Sequence, residues 1–96
     1  MTEYRLSAEA ERDLYAIAAH SLETWGEAPA QRYLSNLHSL LERLARNPRL
    51  GVASDHIRPG YFRRRYESHM IFYTRSQNGI TVIRVLHGQM DFLQHL

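Results

Sequence analysis

Cysteine is absent from this 96-residue chain. That excludes disulfides, thiolate nucleophiles and cysteine-ligated zinc. Lysine is absent as well, and all 12 basic residues are arginine. No side-chain amine is therefore present to act as a base or form a Schiff base. What remains is a set of permanently charged planar forks suited to carboxylates and phosphates. No apolar run approaches the roughly 20 residues needed to cross a bilayer. The opening residues, MTEYRLSAEAERDL, are charged and carry no apolar stretch of the secretory kind, so a cytoplasmic location is expected. The 6 histidines form no H-x-x-x-H pair, and neither a glycine-rich phosphate loop nor a Ser-His-Asp order stands out. No metal site and no cofactor is expected on these grounds.

The length fits one domain, residues 1–96. A chain this short buries only about 60–70% of its unfolded surface, so a partner would add a large share of its stability. The net charge of +2 is unevenly spread. Residues 1–48 hold five Arg against seven acids, giving −2, and residues 49–96 hold seven Arg against three acids, giving +4.

Hydrophobic periodicity divides the chain. Glu3 to Leu6 reads as a first strand. Ser7 is a good N-cap, and Glu9, Glu11 and Asp13 follow where acids favour the helix dipole. Ala10, Leu14, Ile17, Ala18, Leu22 and Trp25 recur at helical spacing, with Trp25 read as core, and Gly26 ends the helix. A second stripe, Ala30, Tyr33, Leu34, Leu37, Leu41 and Leu44, runs to Asn47-Pro48. The short connection at Gly26 predicts an antiparallel helical hairpin. Arg49 to Gly60 reads as a loop. Three strand-like runs follow: Tyr61–Tyr66, His69–Thr74 and Ile80–His87. Glu67-Ser68 and Asn78-Gly79 supply the turns. The run ITVIRVLH is apolar on both faces, as a central strand is. The order β-α-α-β-β-β predicts an α+β fold, a small antiparallel sheet packed against the helical hairpin, with the first strand added at an edge.

Arginine inside strands is the unusual feature. Alternation puts Arg63 and Arg65 on one face and Arg64 on the other. The pair is either an anionic-partner surface or a charged edge that resists aggregation. Arg84, between apolar neighbours, needs a partner such as Asp91 or Glu67, or serves as an anchor for a bound anion. His87 and Asp91, four apart, are spaced for a carboxylate to orient an imidazole, or for a structural hydrogen bond. The core elements are complete by Leu86. His87 to Leu96 is therefore expected to matter more for activity than for folding, with Met90, Phe92 or Leu93 capping an apolar edge of the sheet.

Six segments, taken in order and spacing, carry a family resemblance: YRLSAEAERDL at 4–14, WG at 25–26, NPRLG at 47–51, RPG at 58–60, SHMIFY at 68–73 and VIRVLHGQMD at 82–91. Together they resemble a ParE-type toxin of the RelE/ParE superfamily, from type II toxin–antitoxin modules. The resemblance implies a toxin that inhibits DNA gyrase without hydrolysing anything. It also implies a ParD-like antitoxin, whose C-terminal segment wraps the toxin and whose other half binds operator DNA. On this reading the antitoxin-binding candidates are Arg58, Arg63, Arg65, Tyr66 and Arg84, matching an acidic tail. Trp25, His87, Met90 and Asp91 are the candidates for gyrase contact or toxicity. Two alternatives stand beside this reading. One is a RelE-like, ribosome-dependent mRNA endoribonuclease, with Arg63, Arg84 and His87 as a partial site and Glu67 as base. The other is a degenerate toxin that only binds its antitoxin.

Overall fold

In the computed structural model, which describes residues 3–96, the elements follow the expected order, with one short strand added and a short helix within the expected terminal helix or tail at Met90 to Leu96. They are β1 (Glu3–Leu6), α1 (Ala8–Trp25), α2 (Glu27–Arg46), β2 (Val52–Ala53), β3 (Tyr61–Tyr66), β4 (His69–Ser76), β5 (Gly79–His87) and α3 (Phe92–His95). The stretch Arg49 to Gly60, expected as plain loop, overlaps a 3-10 turn at Pro48–Leu50 and contains the short β2, which pairs with β3 at Arg63 and Phe62. Five strands form one sheet in the order β1-β5-β4-β3-β2. It is antiparallel except at one edge, where β1 runs parallel to β5 from Glu3↔Gly79 to Leu6↔Val82. The parallel pairing follows from the chain path. The helical hairpin carries the chain back across one sheet face before β3 begins. No helix of the described residues is long and apolar enough to cross a membrane.

Ser7 caps α1 as expected, accepting from the Ala10 N–H at 3.0 Å, while its hydroxyl donates to the Ile83 carbonyl at 2.7 Å. One small side chain thus starts the helix and ties it to β5. Gly26 separates the helices at φ 86°, a left-handed value that side chains disfavour, and its N–H donates to the Leu22 carbonyl.

The core lies between the hairpin and one sheet face. Ala10 and Ile17 of α1 and Leu37, Leu41 and Leu44 of α2 meet Ile71, Tyr73, Ile80, Val82 and Val85. Tyr73 is fully buried and donates its hydroxyl to the Pro48 carbonyl at 2.6 Å. Gly51 makes room for it, since a Cβ there would lie 2.0 Å from the Tyr73 hydroxyl. Leu22 and Trp25 correct the expected stripe: they are 53% and 51% exposed. They lie in the last turns of α1, where the helix runs past the end of the sheet beneath it.

The opposite sheet face carries Phe72, whose partners in register are Arg63 on β3 and Arg84 on β5. Phe72 is fully buried because Phe92 of α3 lies over it, ring centroids 4.9 Å apart. Of the three residues expected to cap the sheet, Phe92 takes that place. Met90 and Leu93 are 40% and 70% exposed.

Ser7→Ala removes both the helix cap and the bond to Ile83. It is expected to cost about 1–2 kcal/mol of unfolding free energy, measured by urea denaturation. Wild-type stability in that variant would show that the cap bears no weight.

Candidate functional site

Two surfaces gather the residues singled out in the sequence. The first is the arginine-bearing side of the sheet. Alternation along β3 sends Phe62, Arg64 and Tyr66 to the helix side, where Phe62 and Tyr66 pack on the core, and leaves Arg63 and Arg65 on the other face. The middle arginine is a structural staple, donating to the Leu50 carbonyl at 2.9 Å. Arg63 reaches only the His56 ring, at 3.4 Å. Among the described residues the ion pairs are Arg5–Glu3, His38–Glu42 and Arg84–Asp13, so Arg63 and Arg65 have no carboxylate side-chain partner among those residues. Arg58 instead grips the main-chain oxygen of Leu96 through Nε and Nη2, at 2.9 and 2.6 Å. Tyr66 stands apart from these arginines. Its hydroxyl donates to the Tyr33 carbonyl at 2.6 Å, and its pKa is pushed up to about 12, chiefly by burial.

Arg84 is placed differently from either expectation. Its partner is neither Asp91 nor Glu67 but Asp13 of α1, bound twice: Nε to Oδ2 at 2.8 Å and Nη2 to Oδ1 at 2.9 Å. The pairing is possible because β1 stops at Leu6, leaving the β5 edge open to α1. Asp13 also accepts the Val85 N–H at 2.9 Å, filling a position that a strand partner would otherwise take. The side chains are 19% and 14% exposed, and the hydrogen bond to Asp13 holds Arg84 further toward its charged form. Its remaining donor, Nη1, holds the His95 carbonyl at 3.0 Å. Asp13 was read in the sequence only as an acid near a helix start. No periodicity pairs it with a residue 71 positions later.

The second surface is a cavity of about 390 Å³ between α1 and the far ends of β4 and β5. Trp25, His87 and Met90 line it, together with His20 and His69, which were not singled out. Asp91 lies outside that lining, and the expected His87–Asp91 pair does not form. His87 Nδ1 accepts from the Gln89 N–H, and Asp91 caps the short α3 at the Leu93 N–H. His69 bonds the Tyr33 hydroxyl through Nδ1 at 2.7 Å, and its ring centroid is 5.5 Å from that of His87. Burial, then the neighbouring His87 and His20, lower its pKa against a smaller opposing pull from Asp13. Among the described residues no group of three or more His, Cys, Asp or Glu side chains is placed to hold a metal ion.

A third feature escaped the sequence reading. Leu6, Leu14, Tyr15, Ala18 and Leu34, with Glu11, form a mostly apolar groove of about 430 Å³ beside α1.

The profile of the family described as ParE toxin of type II toxin-antitoxin system, parDE, matches residues 4–92. The chain belongs to the ParE toxin family. It is 42% identical over 94 residues to Toxin ParE1 of Mycobacterium tuberculosis (strain CDC 1551 / Oshkosh), covering 97% of this chain and 96% of that protein. Over 96 residues it is 38% identical to Toxin ParE1 of Caulobacter vibrioides, covering 100% and 99%. Toxin ParE of Escherichia coli is 33% identical over 97 residues, covering 100% and 94%. Among solved structures, a chain of the chromosomal ParDE TA system from P. aeruginosa superposes with TM-score 0.75 at 18% identity, covering 91% of this chain and 96% of that one. A chain of the YoeB-YefM complex from Staphylococcus aureus gives 0.58 at 19%, covering 91% and 97%. Both likenesses show the shared fold, and the family model and relatives make this chain a type II toxin–antitoxin toxin of the ParE kind.

The lowered pKa of His69 gives a pH prediction with a defined sign. Its folded pKa lies below the ordinary 6.5, so its contribution is fully present above 6.5 and is lost as pH falls through the folded value. Urea midpoints should therefore drop between pH 7.5 and pH 5.5, and His69→Gln should flatten part of that drop. A proton-NMR titration placing His69 at or above 6.5 would contradict the assignment.

Proposed function

We propose that this chain inhibits DNA gyrase without catalysing a reaction itself, and that a ParD-like antitoxin neutralises it. The observation that carries the reading is the family match across residues 4–92, joined by relatives named as ParE toxins over nearly the whole chain. The positions of the candidate ribonuclease groups favour it over the RelE-like alternative. Arg63 faces out beside His56, Arg84 is held by Asp13, and His87 lies toward the helix side with Nδ1 already engaged. Acid–base cleavage needs such groups to converge on one phosphate.

On this reading the antitoxin meets the toxin on two surfaces. Its acidic stretch pairs with Arg63 and Arg65, which share the outer sheet face and have no carboxylate side-chain partner among the described residues, and with Arg58 where it competes with the Leu96 oxygen. Its amphipathic helix lays apolar residues into the groove at Leu14, Tyr15 and Leu34. Tyr66 and Arg84 act from beneath, as supports for β3 and for the C-terminal segment. The gyrase-directed surface is the Trp25–His87–Met90 cavity mouth with Asp91 next to it in the chain.

The purified chain should block gyrase supercoiling and trap cleaved DNA–gyrase complexes. Ribosome-dependent mRNA cleavage with no effect on gyrase would assign it to the ribonuclease branch, and antitoxin binding with neither effect would mark a degenerate toxin. Arg63→Ala and Arg65→Ala should each weaken the antitoxin complex, mostly through faster dissociation. The loss should be about 1–3 kcal/mol where the partner carboxylate is buried and under about 1 kcal/mol where it is exposed. Affinity unmoved by both substitutions and by salt would leave these arginines as solvated edge charges.

A further inference from the structure

We propose that Asp13 is a positioning residue for the toxin's C-terminal segment, acting through Arg84 from the opposite side of the sheet edge. The proposal rests on the reading that this segment contributes to toxicity. The geometry is a chain of directional bonds. Asp13 accepts from Arg84 at both carboxylate oxygens and from the Val85 N–H, three bonds of 2.8–2.9 Å. That fixes the guanidinium plane against α1. The remaining donor then points at the His95 carbonyl, 3.0 Å away. A bidentate fork has one orientation relative to its carboxylate, so the third bond inherits its direction from the first two.

The segment has few other holds. Phe92 stacks on Phe72, and Arg58 grips the Leu96 main-chain oxygen. Leu93, Gln94 and His95 are exposed, and α3 has only 4 residues, too few to be stable by itself. A short element of this kind takes its position from external anchors. Asp13 is the anchor furthest from it in sequence, and its hydrogen bonds go to Arg84 and Val85 and not to the segment itself.

The test uses the full chain with Asp13→Asn, which keeps the size but weakens the charge-assisted bonds, and with Arg84→Lys, which keeps the charge but loses the fork. Amide exchange is read at Gln94 and Leu96, whose N–H groups bond the Asp91 and Phe92 carbonyls, and at Ile71 and Tyr73 in the core. Each variant should speed exchange at Gln94 and Leu96 about tenfold or more while the core amides stay slow. The toxin concentration for half-inhibition of gyrase should rise by a similar factor. The double variant should be no worse than either single one, because both break the same link. Unchanged exchange in the segment would overturn the proposal. So would equal loosening of Ile71 and Tyr73, which marks a general stability residue. Loosening confined to the segment with inhibition unchanged would overturn its functional half. A wild-type chain inert toward gyrase counts against the proposed function instead, and the exchange pattern then decides the positioning claim alone.

Discussion

The organising constraint of this molecule is the open edge of β5. That strand has 9 residues, but β1 has only 4 and covers Gly79 to Val82. Beyond Val82 the β5 backbone would face water or seek a foreign strand. The start of α1 prevents both. The Ser7 N–H donates to the Val82 carbonyl, the Ser7 hydroxyl to the Ile83 carbonyl, and Asp13 accepts from Val85. Three polar contacts replace a strand, and they fix α1 against the sheet before any apolar packing is counted. The register shift between β4 and β5 at Phe72/Tyr73 falls beside the same place, where Ile83 has no partner on β4. The local bend and the helix contact therefore belong to one feature.

The cavity and the C-terminal segment both hang from that edge. Fixing α1 sets Trp25 and His20 opposite His69 and His87, and so creates the cavity. Fixing Arg84 sets the end of the C-terminal segment over the far sheet face. Strand β3, beyond β4, sorts its three arginines by alternation alone: Arg64 is consumed inside the fold, while Arg63 and Arg65 lie on the outer face. An ion pair as enclosed as Arg84–Asp13 adds little net stability over a well-packed apolar pair, because desolvation offsets attraction. Its value lies in direction, since the fork makes three aimed bonds where an aliphatic side chain makes none.

The element order, both turns and the sandwiched position of β5 were legible in the sequence because each rests on local signals. Ser7, Gly26, Asn47-Pro48 and Glu67-Ser68 act within a few residues of themselves. The α2 stripe was equally legible: Leu37, Leu41 and Leu44 are nearly or fully buried. The α1 stripe ran one turn too far. An apolar residue at helical spacing reports the helix face but not where the sheet beneath it ends, so Leu22 and Trp25 overhang. Two-residue β2 lacked any periodicity to detect. The site was less legible than the fold. The need of Arg84 for a partner followed from polarity, but the choice of Asp13 over Asp91 depends on where β1 stops. His20 and His69 joined the cavity through tertiary packing of three separate elements, which no single-chain spacing encodes.

The central claim, that α1 closes the β5 edge through Asp13, is tested most directly by the exchange rate of one backbone proton in the wild-type chain. The Val85 N–H faces away from β4 toward that edge and has Asp13 as its acceptor. The account predicts that it exchanges as slowly as the ladder amides of Ile71 and Tyr73, and that it speeds up at the same pH in the Asp13→Ala variant. A Val85 amide that exchanges as fast as one on an exposed, unpaired strand edge at neutral pH would contradict it.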